Sequence, residues 1–225
     1  MSMPYYVSPE QVMKDRADYA RKGIARGRSL IGLTYADGVL IVAENHSRSL
    51  HKVSEIYDRV GFAAVGRYNE FDQLRIAGVR AADLKGYSYS REDVEARSLA
   101  NSYAQMLGQV FTHEMKPLEV EILVAEVGLT PDGDRLFQIL YDGTVIDQER
   151  FTVLGGDAET ISERMKVSYA DGQSLTAALR GAVAALAGAD RTLTPRELEV
   201  AALDRTHARR TFTRLEGDEL NALLG

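Results

Sequence analysis

The sequence predicts an α+β fold in which antiparallel sheets carry helices on their outer faces. Two observations lead there. Strand-like and helix-like segments come in separate runs along the chain, and neighbouring strand segments are joined by short turn signals such as Asp37-Gly38 and Asp142-Gly143. Tight turns join antiparallel strands, whereas parallel strands need a long crossover, so a βαβ architecture is disfavoured. The length of 225 residues with 45% hydrophobic content suffices for one large domain, expected over 1–225.

The elements follow in order. Ser8-Pro9-Glu10-Gln11 opens a helix: Ser8 caps, Pro9 suits the first turn and Gln11 completes a capping box. The helix is expected to reach Lys22, with Gly23 as its stop. Its apolar stripe (Val12, Met13, Ala17, Tyr19, Ala20) is thin, so it should lie on a surface against a neighbour. Ser29–Tyr35 and Val39–Ala43 read as strands with Asp37-Gly38 as the hairpin turn, because a primed turn needs positive φ. Strands follow around 50–56 and 60–66, with Lys52 inside the first, where a lysine must snorkel or find an anion. Residues 69–86 are helical. Ser90 heads a second capping box, expected to open a long helix to Glu114 that presents Val94, Leu99, Tyr103, Met106, Leu107, Val110 and Phe111 on one side. "LEVEILVAEVG" alternates, which would place Glu119 and Glu121 on an outward face. "RLFQILY" and a strand pair within "TVIDQERFTVLGG" come next. Helices at 157–170 and 174–188, a strand pair in "ELEVAALDR" and "TFTRLEG", and a short helix in "DELNALLG" complete the chain.

Composition removes several function classes. With no cysteine, disulfides, thiolate metal sites and Cys nucleophiles are excluded. A net charge of −6 points to neither nucleic acid nor membrane as the main partner. The N-terminal "MSMPYYVSPEQVMKDR" lacks the apolar region of a signal peptide, and no apolar run is long enough to span a bilayer, so a cytoplasmic protein is expected.

Chemical motifs are sparse. His46, His51, His113 and His207 show no zinc spacing, and neither HExxH nor GxSxG occurs. Asp132-Gly133-Asp134 lacks the later ligands of a calcium loop and reads as a turn. Gly155-Gly156 lies between a strand and a helix but is no phosphate loop, so close backbone packing is the better reading. No cofactor is implied. Arg16, Arg21, Lys22, Arg26 and Arg28 form a basic run that is either a solvated face near a helix end or a receiver of a partner's carboxylates.

Longer stretches are more specific. "SPEQ" (8–11), "YARKGIARG" (19–27), "GVLIVAEN" (38–45), "YDRVGFAA" (57–64), "NEFD" (69–72), "ANSYAQMLG" (100–108) and the late "VLGG" step (153–156) together resemble the proteasome core subunits, above all the α-type of actinobacteria. The likeness runs from "SPE" to "NALLG". It implies a four-layer αββα sandwich of the N-terminal nucleophile hydrolase class. In catalytic β-type members the first strand starts with a Thr freed by cleavage after Gly. Setting Gly27 on that Gly puts Arg28 in the nucleophile's place, and a guanidinium, always protonated, cannot attack a carbonyl. Glu44 and Lys52 fall where the acid and lysine of the β-type site stand.

The resemblance thus implies a non-catalytic subunit. Such subunits form seven-membered rings with copies of themselves, template and cap β-rings, and admit protein substrates through an axial pore. The pore would be closed by the tail Met1, Ser2, Met3, Pro4, Tyr5, Tyr6, Val7 and Ser8. ATPase or other ring activators insert C-terminal tails into pockets between neighbours; Lys52 matches the lysine that pairs with the tail carboxylate, and Arg21 and Gly27 match other pocket positions. The tail lacks the Tyr-Asp-Arg triad of archaeal and eukaryotic relatives, so their gating contacts do not carry over. Two rival readings stand beside this one: an active N-terminal nucleophile hydrolase that exposes Ser29, and a self-assembling scaffold without a protease partner.

Overall fold

The computed structural model describes residues 8–225. In chain order these form α1 (Pro9–Ala25), β1 (Leu30–Tyr35), β2 (Gly38–Glu44), β3 (Val53–Tyr57), β4 (Val60–Gly66), α2 (Tyr68–Ser88), α3 (Ala96–His113), β5 (Val120–Glu126), β6 (Arg135–Ile139), β7 (Val145–Gln148) and β8 (Phe151–Leu154). Then come α4 (Ala158–Ser168), α5 (Leu175–Ala187), β9 (Leu198–Asp204), β10 (Phe212–Leu215) and α6 (Gly217–Leu224). One sheet has the order β10-β9-β2-β1-β8 and the other β3-β4-β5-β6-β7. Every strand pairing in both is antiparallel. The α+β sandwich expected from the sequence is what the chain builds.

Three apolar layers hold it together. Successive residues of a strand point to opposite faces, and both faces of each sheet are covered. In β1, Ile31, Leu33 and Tyr35 pack with Leu179, Ala182 and Leu186 of α5. Leu30 points the other way, into the space between the sheets, with Val39, Ile41 and Ala43 of β2, Val65 of β4 and Leu123 of β5. In β5, Ile122 and Val124 face Tyr103 and Leu107 of α3. Gly32 belongs to the inner layer: a Cβ there would overlap Leu123 Cδ2, so the Leu123 side chain would have to shift.

Several local expectations are corrected. The hairpin turn is Ala36-Asp37; Gly38 is the first residue of β2 and pairs with Tyr35. Neither turn residue has positive φ. Gly38 itself has φ +154, and a Cβ there would also strike the Leu203 carbonyl of β9. α1 runs through Gly23 to Ala25, since Gly23 is where the helix meets the Glu119 side chain. Ser8 does accept from the Gln11 amide at 3.2 Å, but the Gln11 side chain turns to Asp15 (2.7 Å), so only half of that capping box forms. The Ser90 box is complete, yet it closes a single 3-10 turn, Arg91–Asp93. α3 starts afresh at Ala96, whose amide donates to the Glu126 carboxylate at 2.8 Å. The strand expected from residue 50 begins at Val53, leaving Lys52 just ahead of it. β7 and β8, expected as a pair, are the edge strands of different sheets.

The largest correction concerns Glu119 and Glu121, which are buried, 4% and 8% exposed, instead of facing outward. Strand β5 is covered by α3 on one face and by the opposite sheet on the other, so neither face reaches water, and Glu119 lies just ahead of it. Glu121 accepts from Gln138 Nε2 (2.6 Å) and the Gly155 amide (3.1 Å), and its burial pushes the carboxyl above the usual carboxylate range. Glu119 pairs with Arg67 (3.1 Å) and Lys116 (3.0 Å).

Leu123→Ala would open a void between the sheets opposite Gly32. It should cost about 2–5 kcal/mol, read as a fall in the urea unfolding midpoint. A midpoint equal to that of the native chain would show that this layer tolerates a hole.

Candidate functional site at the head of the first strand

Residues 26–29 carry the chain from α1 into β1 and leave little freedom. A Cβ at Gly27 would sit 2.6 Å from Val65 Cγ1 and 3.0 Å from the Gly66 nitrogen, so the chain passes tightly against β4. Ser29 is buried; its carbonyl accepts from the Glu44 amide at 3.1 Å. Its hydroxyl faces Gly155, where an added Cβ would come within 2.7 Å of Oγ. Gly155 has φ +115, so Gly155-Gly156 serves close packing, as the sequence indicated.

Arg28 turns outward onto Glu44. Its guanidinium donates to Glu44 Oε1 at 2.5 Å, and Arg191 donates to both carboxylate oxygens at 3.2 Å. His46 Nε2 lies 3.4 Å from the same Oε1. Burial alone would push Glu44 up, but hydrogen bonding and charge from Arg191, with charge from Arg28, outweigh it and hold the carboxyl below its usual range. A buried carboxylate under two guanidiniums is a fixed counter-ion and no proton acceptor.

Lys52 reaches the same place from the second sheet. Its ammonium donates to the carbonyls of Arg28 (2.7 Å) and Glu44 (3.0 Å). An ammonium has three donors, so one remains for a further acceptor. Burial pulls the Lys52 pKa down to about 8; Glu199 and Glu44 pull it up, and Arg28 adds to the fall. The cluster therefore offers cations and one open N–H, which is chemistry for holding an anion. Arg28 supplies no nucleophile, and among the described residues no group of His, Asp and Glu is arranged to hold a metal ion.

The other expected positions are scattered. Gly27 lies one residue from the carbonyl that Lys52 holds. Arg21 is elsewhere on α1, 3.4 Å from Asp18 and 5.7 Å above the Tyr141 ring. Ser8 is an exposed helix cap; Met1, Ser2, Met3, Pro4, Tyr5, Tyr6 and Val7 lie outside the described residues. Of the basic run, Arg16 is spent on the carbonyls of Phe111 (2.8 Å) and Glu114 (2.5 Å) at the end of α3, while Lys22 and Arg26 are exposed. Sequence reading missed Arg191, which lies in a loop with no pattern around it, and Glu199, whose only signal is an acid inside an apolar strand.

An N-terminal helix, a hairpin led by Gly-Arg-Ser and two sheets between helix layers are features of one class of chain. The chain belongs to the proteasome subunit family: a profile of that family, described as "Proteasome subunit", matches residues 24–203. Within it, the similarity is to α-type members. It is 63% identical over its full length to the "Proteasome subunit alpha" of Acidimicrobium ferrooxidans, covering 97% of that protein. Proteins of the same name from Acidothermus cellulolyticus and Kineococcus radiotolerans are 58% and 57% identical, again over the whole of this chain and 98% of each relative. Among the described residues no helix is long and apolar enough to cross a membrane.

Glu44 gives a pH test. Its folded pKa is depressed, so its stabilising contribution is present above the ordinary value of 4.5 and is lost as pH falls through the folded value. Glu44→Gln should therefore unfold more readily than the native chain at neutral pH, with the gap closing as pH falls through the depressed folded value. Thermal melts across pH read this; a gap constant with pH would remove the ion pairs as its cause.

Proposed function

We propose that the chain is a non-catalytic α-type subunit of a proteasome core particle. In this reading it forms a seven-membered outer ring with copies of itself and templates the β-subunits that carry proteolysis. It admits substrates through a pore closed by residues 1–8, and it docks ring activators through their C-terminal tails. The observation that carries the reading is the head of β1. Arg28 stands where a catalytic relative would present its nucleophile and is tied to Glu44, while Lys52 holds its carbonyl. A fold that hosts hydrolysis elsewhere is here used without it.

The Ser29 reading finds no support in the geometry. That side chain is buried with its hydroxyl against Gly155, and it follows Arg28 in the chain, so no free amine stands beside it to act as base. The exposed apolar residues of α1 (Val12, Met13, Tyr19) favour a neighbour, as a ring subunit requires.

The docking role of Lys52 rests on its one open donor and on an ammonium that has no carboxylate oxygen bound to it; Gly27 lies beside it. Arg21 stands apart in the single chain, which suits a pocket completed by an adjacent copy. A carboxylate binds the charged ammonium, so tail docking should be full below about pH 8 and fall as pH rises through it. Lys52→Ala should abolish docking of a synthetic tail peptide with a free terminal carboxylate; undiminished docking would remove Lys52 from the pocket. The gate is tested on the particle assembled with the β-type subunit of the same genome. Deleting residues 1–8 should raise small-peptide hydrolysis severalfold, and equal rates before and after deletion would contradict a gating tail.

A further inference from the structure

Lys52 precedes β3, and its carbonyl accepts from the Ala64 amide of β4 at 3.1 Å while its own amide turns away from that strand. It is the last residue of the segment 45–52, which has neither helix nor strand of its own. β3 is also the edge of its sheet, so the amides on its outer side have no strand partner. A single carboxylate from the opposite sheet supplies what is missing. Glu199 of β9, in register with Ala43, is 8% exposed and points into the rim between the sheets. Its Oε2 accepts from the Lys52 amide (2.8 Å) and Asn45 Nδ2 (2.8 Å). Its Oε1 accepts from the Val53 amide (3.2 Å) and Arg214 (2.8 Å), and His51 Nδ1 lies 3.1 Å away.

The donors are themselves tied down. Asn45 also donates to the Leu50 carbonyl (2.8 Å), and Arg214 to that of Val53 (2.5 Å). The segment 45–52 is thus gathered around one oxygen pair. Two amides alone could be capped by a neutral group. Although burial pushes Glu199 up, its donors outweigh that and hold the carboxyl below its usual range, so a full negative charge lies beside Lys52.

We infer that Glu199 is the positioning residue of the Lys52 anion site: it fixes the backbone from which the ammonium rises and sets a compensating charge next to it. This rests on the reading of Lys52 as a docking cation. The charged groups facing Lys52 are Arg28 and Glu44 at the ends of β1 and β2, and Glu199 from β9. Those facing Glu199 are His51, Lys52 and Arg214.

The test uses Glu199→Gln, with Glu55→Gln as control; Glu55 is on β3 but pairs outward with Arg210 at 2.6 Å. Two readouts are taken. One is the pH dependence of Lys52 acylation in the full chain, followed by mass spectrometry. The other is docking to the assembled particle of a synthetic peptide with a free terminal carboxylate, against its amidated twin. In Glu199→Gln the Lys52 midpoint should fall below about 8, because a neighbouring negative charge is removed, and the docking midpoint should follow it. A fall of one unit would lower the charged fraction at pH 8 from about one half to about one tenth, roughly a fivefold loss of docking. Glu55→Gln should move neither.

An unmoved Lys52 midpoint with unchanged docking overturns the inference. A lowered midpoint with no docking even in the native particle keeps the positioning role and overturns the docking reading instead. If Glu199→Gln does not fold, Asn45→Ala is the second variant. Hydrogen exchange at the Lys52 and Val53 amides should quicken while β4 and β5 stay protected; unchanged exchange at those amides overturns the inference equally.

Discussion

Two sheets packed face to face exclude water from the layer between them, and any charge at its rim must find a partner there. Leu30, Ile41, Val65, Leu123 and Leu203 fill that layer and are buried. An uncompensated ion in such a place would cost several kcal/mol, so ions near it occur as paired sets. Glu44 is held under Arg28 and Arg191, Glu199 under Arg214, and Glu119 under Arg67 and Lys116. Lys52 is the member of this rim whose own surroundings are incomplete. It donates to two carbonyls and has no carboxylate oxygen on its ammonium. The same constraint that keeps the sandwich together underlies the proposal that this cation takes an anion from outside the chain.

At the head of β1 the proposed reading meets the chemistry of the fold most directly. Hydrolysis by a strand-leading nucleophile needs a hydroxyl or thiol with a free amine beside it. Here that corner is occupied by a guanidinium that remains protonated and is paired. Function follows the residues at the site and not the architecture around them. α1 fits this picture. Its C-terminal turn is anchored by Ala20, Gly23 and Ile24, and Arg16 holds the end of α3, while Val12, Met13 and Tyr19 stay exposed.

Much of this was legible in the sequence, and the losses have physical causes. β4 was placed to the residue, since turn residues bound it on either side. The Glu-x-Glu alternation at β5 looks like a water-facing strand; the partners that receive these carboxylates are mostly distant in sequence, Gln138, Gly155 and Arg67, with Lys116 three residues away. Asp-Gly is a local turn signal, and Gly38 does carry a positive φ; what no local signal records is that it opens β2 and that the Leu203 carbonyl, far along the chain, leaves no room for a Cβ. Lys52 stood out as a cation in an apolar run. Glu199 did not, because its role depends on residues 45–53 folding back over β9, and no spacing within "ELEVAALDR" records that.

The central claim is that this chain exists to build a ring on which β-type subunits assemble. Native mass spectrometry of the chain co-expressed with the β-type subunit of the same genome tests it most directly. The account predicts a four-ring particle containing both chains. A monomer, or an oligomer of this chain alone with no β-type subunit bound, would leave the fold intact and contradict the function.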